Sequence, residues 1–155
     1  MIDTPPKPFR SLGSNLFHPA FLLALLVLLV NDKVLKQRSP SLITGKLSDF
    51  AGLFTFPIFL ASLLEIGTRR YTSLRVMTGI TCLIAVAFIG MKTNESVSDF
   101  IGDVWFQLLR PIRSITSGST KPVTFIRDTS DLVSLISIPF AFWFWKVKLV
   151  NQKVD

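Results

Sequence analysis

The stretch that decides the fold is Pro19-Ala20-Phe21-Leu22-Leu23-Ala24-Leu25-Leu26-Val27-Leu28-Leu29-Val30, a run without one polar side chain. It is closed by Asn31-Asp32-Lys33, and a turn later by Lys36. Three further apolar runs follow, at Asp49 to Glu65, Val76 to Met91 and Asp131 to Lys148. Apolar residues are 49% of the 155-residue chain and charged ones 17%, against about a quarter charged in soluble domains. The runs predict an all-α, polytopic membrane protein of about four short transmembrane helices, near 18–36, 49–66, 75–92 and 131–148. Each run is shorter than the roughly 20 residues that cross a bilayer comfortably, so snorkelling cations or local thinning are expected to make up the difference. Residues 1–14 read as a polar, Pro-rich lead, and 15–150 as one transmembrane domain.

Charge placement supports this organisation. The chain carries a net charge of +7, yet its cations do not form a stripe on a soluble fold. Lys33, Lys36, Lys46, Arg69, Arg70, Arg75, Lys92, Lys146 and Lys148 stand at the ends of apolar runs, where they mark membrane edges and meet anionic headgroups. That distribution argues against nucleic acid as a partner and for membrane lipids. No small-residue cleavage site follows the first run, so it is expected to persist in the mature protein. Trp143 and Trp145 beside Lys146 suggest an interfacial anchor, and the Arg69-Arg70…Arg75 cluster favours cytoplasmic termini.

The connection before the fourth run has a helical pattern of its own. Phe100, Ile101, Val104, Trp105, Leu108 and Leu109 form one apolar stripe, with Asp99, Asp103, Gln107 and Arg110 on other faces. Ser98 suits an N-cap and Pro111 a stop, giving a helix over about 99–110. It is expected to lie in the membrane surface or, alternatively, to bury the same stripe on the end of the bundle.

An internal repeat supplies the candidate site. Ser48-Asp49-Phe50-Ala51-Gly52-Leu53-Phe54-Thr55-Phe56-Pro57 matches Ser130-Asp131-Leu132-Val133-Ser134-Leu135-Ile136-Ser137-Ile138-Pro139 in the Ser-Asp pair, a leucine, a hydroxyl residue and the proline. Lys46 precedes one copy and Arg127 the other. Both copies open an even-numbered helix, so both belong to one membrane face, as in a duplicated helical hairpin. Two readings stand side by side. Ser-Asp is a strong N-cap that suits the helix dipole, with Thr55 and Ser137 serving carbonyls freed by the prolines. Alternatively, Asp32, Lys46, Ser48, Asp49, Arg127, Asp128, Ser130 and Asp131 form one polar site, because ionisable groups at membrane depth tend to face a bundle interior.

The remaining polar residues read more plainly. Glu65 is expected to pair with Arg69 at the surface, and His18 to sit at the interface without a metal. Cys82, the single cysteine, reads as a small core residue. There is no Gly-rich phosphate loop, zinc-type His pair or Gly-x-Ser-x-Gly elbow, and no cofactor is expected.

Thr44-Gly45-Lys46-Leu47-Ser48-Asp49-Phe50-Ala51-Gly52-Leu53-Phe54, with Asn31-Asp32 before it and Arg127-Asp128-Thr129-Ser130-Asp131-Leu132 after it, resembles a family of small four-helix bacterial membrane proteins. The resemblance covers residues 15–140 and implies a multi-pass protein of the bacterial inner membrane, with no activity attached. A looser similarity is to VanZ-like antibiotic-resistance membrane proteins, which also place polar motifs at helix starts. Asp49-Phe50 stands where those have a His-Phe pair, and the third helix lacks their acidic residue. The functional expectation is a polar site at one face that binds or transports an ion or lipid headgroup. The alternative is a non-catalytic subunit that stabilises a protein partner or a homo-oligomer, and an embedded enzyme with an Asp49/Asp131 dyad is a third reading.

Overall fold

The structure, a computed structural model, describes residues 11–38, 41–116 and 128–150, and among these it is α-helical with no strand. The proline-rich lead up to residue 10 and Arg127 lie outside the described residues. A 3-10 turn, Ser14–Phe17, leads into α1, Pro19–Val30. His18 caps α1 through Nδ1, which accepts from the Ala20 N–H at 3.2 Å, while its ring meets Phe144 edge-on at 4.7 Å. A π turn, Asn31–Leu35, carries α1 straight into α2, Lys36–Arg38. Then come α3 (Leu42–Thr68), α4 (Leu74–Thr93) and α5 (Glu95–Thr116). A 3-10 segment, Thr129–Ile136, continues into α6, Ser137–Val150.

Among the described residues three helical stretches are long and apolar enough to cross a membrane: Ile43–Thr68, Leu74–Thr93 and Thr129–Val147. They are longer than the apolar runs suggested. Helix α3 begins seven residues before Asp49, because Ser41 and Thr44 form a reciprocal capping box there. With the N-terminus fixed at Ser41, Asp49 lies two turns inside the helix and cannot cap it. Pro57 also lies within α3, and the hydroxyls of Thr55 and Ser137 back-bond to the carbonyls of Ala51 and Ser134. Neither reaches the carbonyl four residues before its proline, so the expected repair of the proline sites is not made by these hydroxyls.

Helix α3 is the central element and packs against α1, α4 and α6. One apolar cluster joins Phe21, Ile58, Ala61, Met77, Ala141 and Trp145; a second joins Leu53, Ile84 and Phe88. Outward positions are apolar as well: Leu23, Leu63, Leu83, Val86, Phe140 and Trp143 are all exposed. A chain that turns large aliphatic and aromatic side chains outward on every long helix is built for a hydrocarbon surround. Cys82 belongs to that outer surface rather than to the core. The two expected anchors divide: Trp143 is exposed, whereas Trp145 is fully buried beneath α3.

Helix α5 begins earlier than its apolar stripe implied, with the Asn94 side chain accepting from the Val97 N–H at 3.2 Å. It also continues past Pro111 to Thr116. The turn from α4 is tight, since a Cβ on Gly90 would come within 2.9 Å of Val97 Cγ1. Ser98 and Gly102 are buried, while Phe100, Val104 and Leu108 remain exposed. The helix therefore meets the bundle through Ser98, Gly102, Ile101 and the edge of Trp105, while Phe100, Val104 and Leu108 of the stripe stay outside, so the stripe as a whole is not buried there.

Glu65 departs furthest from expectation. It is fully buried and accepts backbone N–H groups from Gly13 at 3.2 Å and Thr72 at 3.0 Å. Thr72 Oγ1 donates to the Ala61 carbonyl at 3.1 Å, which closes the α3–α4 turn over it. Arg69 takes a left-handed conformation (φ 54°) as the α3 C-cap, which ends the helical spacing a Glu65–Arg69 pair would use. Gly13, at φ 73°, supplies the positive φ that brings its N–H to the carboxylate.

Candidate functional site

Lys92 organises the polar end of the bundle. On α4 the buried face runs Met77, Thr81, Ile84, Phe88, Lys92, spaced four, three, four and four residues apart. Its continuation turns a lysine inward at the last helical turn. The Lys92 ammonium reaches Asp49 Oδ2 at 2.9 Å and Asp131 Oδ2 at 2.6 Å, and it lies 5.5 Å from the Phe88 ring centroid. The two Ser-Asp motifs, 82 positions apart in sequence, thus place their carboxylates on one cation.

Lys46 crosses in the other direction. It belongs to the first motif but pairs with Asp131 Oδ1 at 3.1 Å and donates to Ser130 Oγ, both in the second. Asp131 is 7% exposed and is held by two ammonium groups, one on each oxygen. An ionised pair at such depth is stable only when its charges are matched and hydrogen-bonded, as here.

A second polar group stands beside this cluster, where α1 passes into the π turn. Asn31, the first residue of that turn, is fully buried, and its Nδ2 donates to the Thr44 carbonyl at 2.6 Å and to Ser48 Oγ at 3.2 Å. Ser48 donates to Asp32, which also pairs with Lys36 at 2.8 Å. Asp32 and Lys36 are each nearly half exposed, so this second group forms a rim.

The candidate residues therefore have different placements. Lys46, Ser130, Asp49 and Asp131 gather in the Lys92 cluster, while Asp32 belongs to the neighbouring rim, bonded to Lys36 and to Ser48, which also accepts from Asn31. Asp128 stands apart as the N-cap of the 3-10 segment, accepting from the Ser130 N–H at 2.9 Å. The Ser130 hydroxyl and backbone N–H hold its carboxyl below the ordinary carboxylate value. The capping reading thus fails for Asp49 and Asp131, because Ser41 and Asp128 hold those cap positions. The sequence places Lys92 among several cations near the carboxylates without making it a member of the site, and it gives Asn31 no site role. The buried stripe ending at Lys92 was the available signal for the first; for the second it was the inward face of α1, which runs Phe21, Ala24, Leu28 and on to Asn31.

Beside the cluster lies an open groove of about 460 Å³. Asp32, Lys36, Ser48 and Asp49 form its polar end, and apolar side chains from α1, α3, α4 and α5 form its walls. Helix α5 contributes Ile101 and Trp105, the latter edge-on to Phe56 with centroids 6.2 Å apart.

No family model matches this chain, and no curated protein or solved structure matches it.

The chemistry available is that of paired charges beside an apolar trough. Among the described residues no three potential metal-ligating side chains converge. Carboxylates and ammoniums matched one to one suit recognition of a charged or zwitterionic group.

Proposed function

We propose that the chain is a four-crossing protein of the bacterial inner membrane, belonging to the small four-helix family that its Thr44–Phe54 motif resembles. Its charged site binds a lipid headgroup at one face. The observation that carries this reading is that Asp49 pairs with Lys92 and at the same time lines an apolar groove. A group bound there meets charge at one end and hydrocarbon along its length, as the parts of a lipid require.

The fourth crossing in this reading is α1 with its π turn and α2. From Pro19 to Arg38 the backbone is continuously helical, and at about 1.5 Å per residue it reaches roughly 30 Å, the thickness of a hydrocarbon core. In a Cys82→Ser background, Tyr71→Cys and Lys146→Cys are expected to react with an impermeant thiol reagent from one side of the membrane. Arg38→Cys and Thr129→Cys are expected to react from the other. Ser11→Cys, before α1, is expected to label with Tyr71→Cys, and its labelling from the side of Arg38→Cys would reject α1 as the fourth crossing.

Binding is tested by thermal unfolding in detergent micelles with added phospholipid. A ligand at a hundred times its Kd stabilises the folded state by about 2.7 kcal/mol, or roughly 5–10 °C for a chain of this size. The gain is expected to vanish in Asp49→Asn and to persist in Asp128→Asn. Equal gains in both variants would remove the headgroup from this site. The exposed stripe Phe100, Val104 and Leu108 favours a second reading, a non-catalytic subunit docked through α5 onto a protein partner. Under that reading Leu108→Glu disrupts assembly and leaves lipid stabilisation intact.

A further inference from the structure

The balance of charge around the groove narrows the headgroup, given the lipid-binding reading above. Among the described residues the Lys92 cluster and the adjoining rim together hold three carboxylates, on Asp32, Asp49 and Asp131, and three ammoniums, on Lys36, Lys46 and Lys92. These six charges cancel, and Asp128, which shares Ser130 with Lys46, adds a carboxylate and no cation. A headgroup with net negative charge adds an uncompensated ion to a partly buried cluster, where water screens it poorly. A zwitterion adds none.

The distribution within the network adds a direction. Lys46 and Lys92 are committed to Asp131 and Asp49 on the inner side. The groups that line the groove itself are Asp32, Asp49 and Lys36, two carboxylates to one ammonium. This lining favours a guest cation, and an ionised carboxylate has about four acceptor sites, of which Lys92 uses one on Asp49. A primary ammonium offers three N–H donors to such carboxylates, whereas a trimethylated one offers none. Lys36 on the rim is paired with Asp32 through one contact and keeps further N–H donors for a phosphate.

We infer that the groove takes a zwitterionic phospholipid whose headgroup ends in a primary ammonium. The ammonium sits between Asp49 and Asp32 with the phosphate toward Lys36, and one acyl chain lies along Phe56, Ile84, Phe88 and Trp105. At about 460 Å³ the groove holds the headgroup and part of one chain rather than a whole lipid. The rest of the molecule stays in the bilayer.

Trp105 lines the groove and reports on it directly. The full chain is reconstituted in phosphatidylglycerol nanodiscs doped with acyl-brominated phosphatidylethanolamine, phosphatidylcholine or phosphatidylglycerol, because bromine quenches indole fluorescence on contact. Subtracting the signal of Trp105→Phe isolates the reporter from Trp143 and Trp145. Half-quenching is expected at an about tenfold lower mole fraction of the ethanolamine lipid than of either other lipid, a ratio corresponding to a tenfold difference in affinity. Asp49→Asn is expected to abolish that preference; Asp32→Asn, on the exposed rim, serves the same purpose if the first variant does not fold. Preference for the glycerol lipid, or equal preference for the choline lipid, overturns the primary-ammonium inference and leaves headgroup binding in place. Equal quenching by all three, unchanged in both variants, overturns both.

Discussion

Replacement of Lys92 by methionine is expected to lower the unfolding free energy by about 3–5 kcal/mol, the cost of removing one partner from a buried ion network. Lys92 is 7% exposed and its ammonium lies within 3 Å of both Asp49 and Asp131. Methionine fills similar volume beside Phe88, so lost packing is a small part of the effect. What remains is two carboxylates turned toward each other, only one of which keeps a cation, through Lys46. The cause is therefore separable by rescue. Adding Asp49→Asn and Asp131→Asn to Lys92→Met removes the uncompensated charge and is expected to recover most of the loss. In the presence of Lys92 the same two asparagines act oppositely. Either alone leaves the ammonium one carboxylate, and both together leave it none. The double variant should then exceed the sum of the singles by more than ~1 kcal/mol, since residues on one shared partner couple. Chemical or thermal unfolding in one detergent gives all these values. Additive asparagine effects, with no rescue of Lys92→Met, would show that the short distances carry no energetic coupling.

Glu65→Ala is the second large effect, at the other end of the bundle. The carboxylate accepts from the N–H groups of Gly13 and Thr72, joining the segment before α1 to the turn after α3. Alanine strands two buried donors, each costing about 1–3 kcal/mol when unsatisfied. Glutamine is expected to recover part of the loss, because its amide has only one oxygen to offer the two N–H groups. Hydrogen exchange localises the damage: the amides of Gly13 and Thr72 should lose protection well before those of α4. Unchanged protection at both, with a lower melting temperature, would assign the effect of Glu65 to something other than these two bonds.

The two positions show where sequence was informative and where it was not. That the chain is helical and suited to a membrane was written in Pro19–Val30 and the later apolar runs, because a hydrocarbon surround demands an unbroken apolar exterior and internally satisfied backbone. The Ser-Asp repeat was equally visible, and it named both carboxylates of the Lys92 cluster. Their role was not visible. Ser-Asp before an apolar run is also what an N-cap looks like, and only the capping box at Ser41 showed that α3 starts earlier. Glu65 was misread for a related reason: spacing of four suggests a pair with Arg69 only while the helix continues, and Arg69 leaves it.

Local sequence therefore determined which segments are helical and which faces are apolar, since both follow from residue type and period. Tertiary structure decided the partners. A lysine at the end of an apolar helix is a snorkelling edge charge if its face is outward and the centre of a buried network if its face is inward. Lys92 is inward because it continues the stripe of Met77, Thr81, Ile84 and Phe88, and because Asp49 and Asp131 arrive from two other helical segments to compensate it. No one of these three segments contains that information, because the cost of burying the charge and the groups that offset it lie on different parts of the chain.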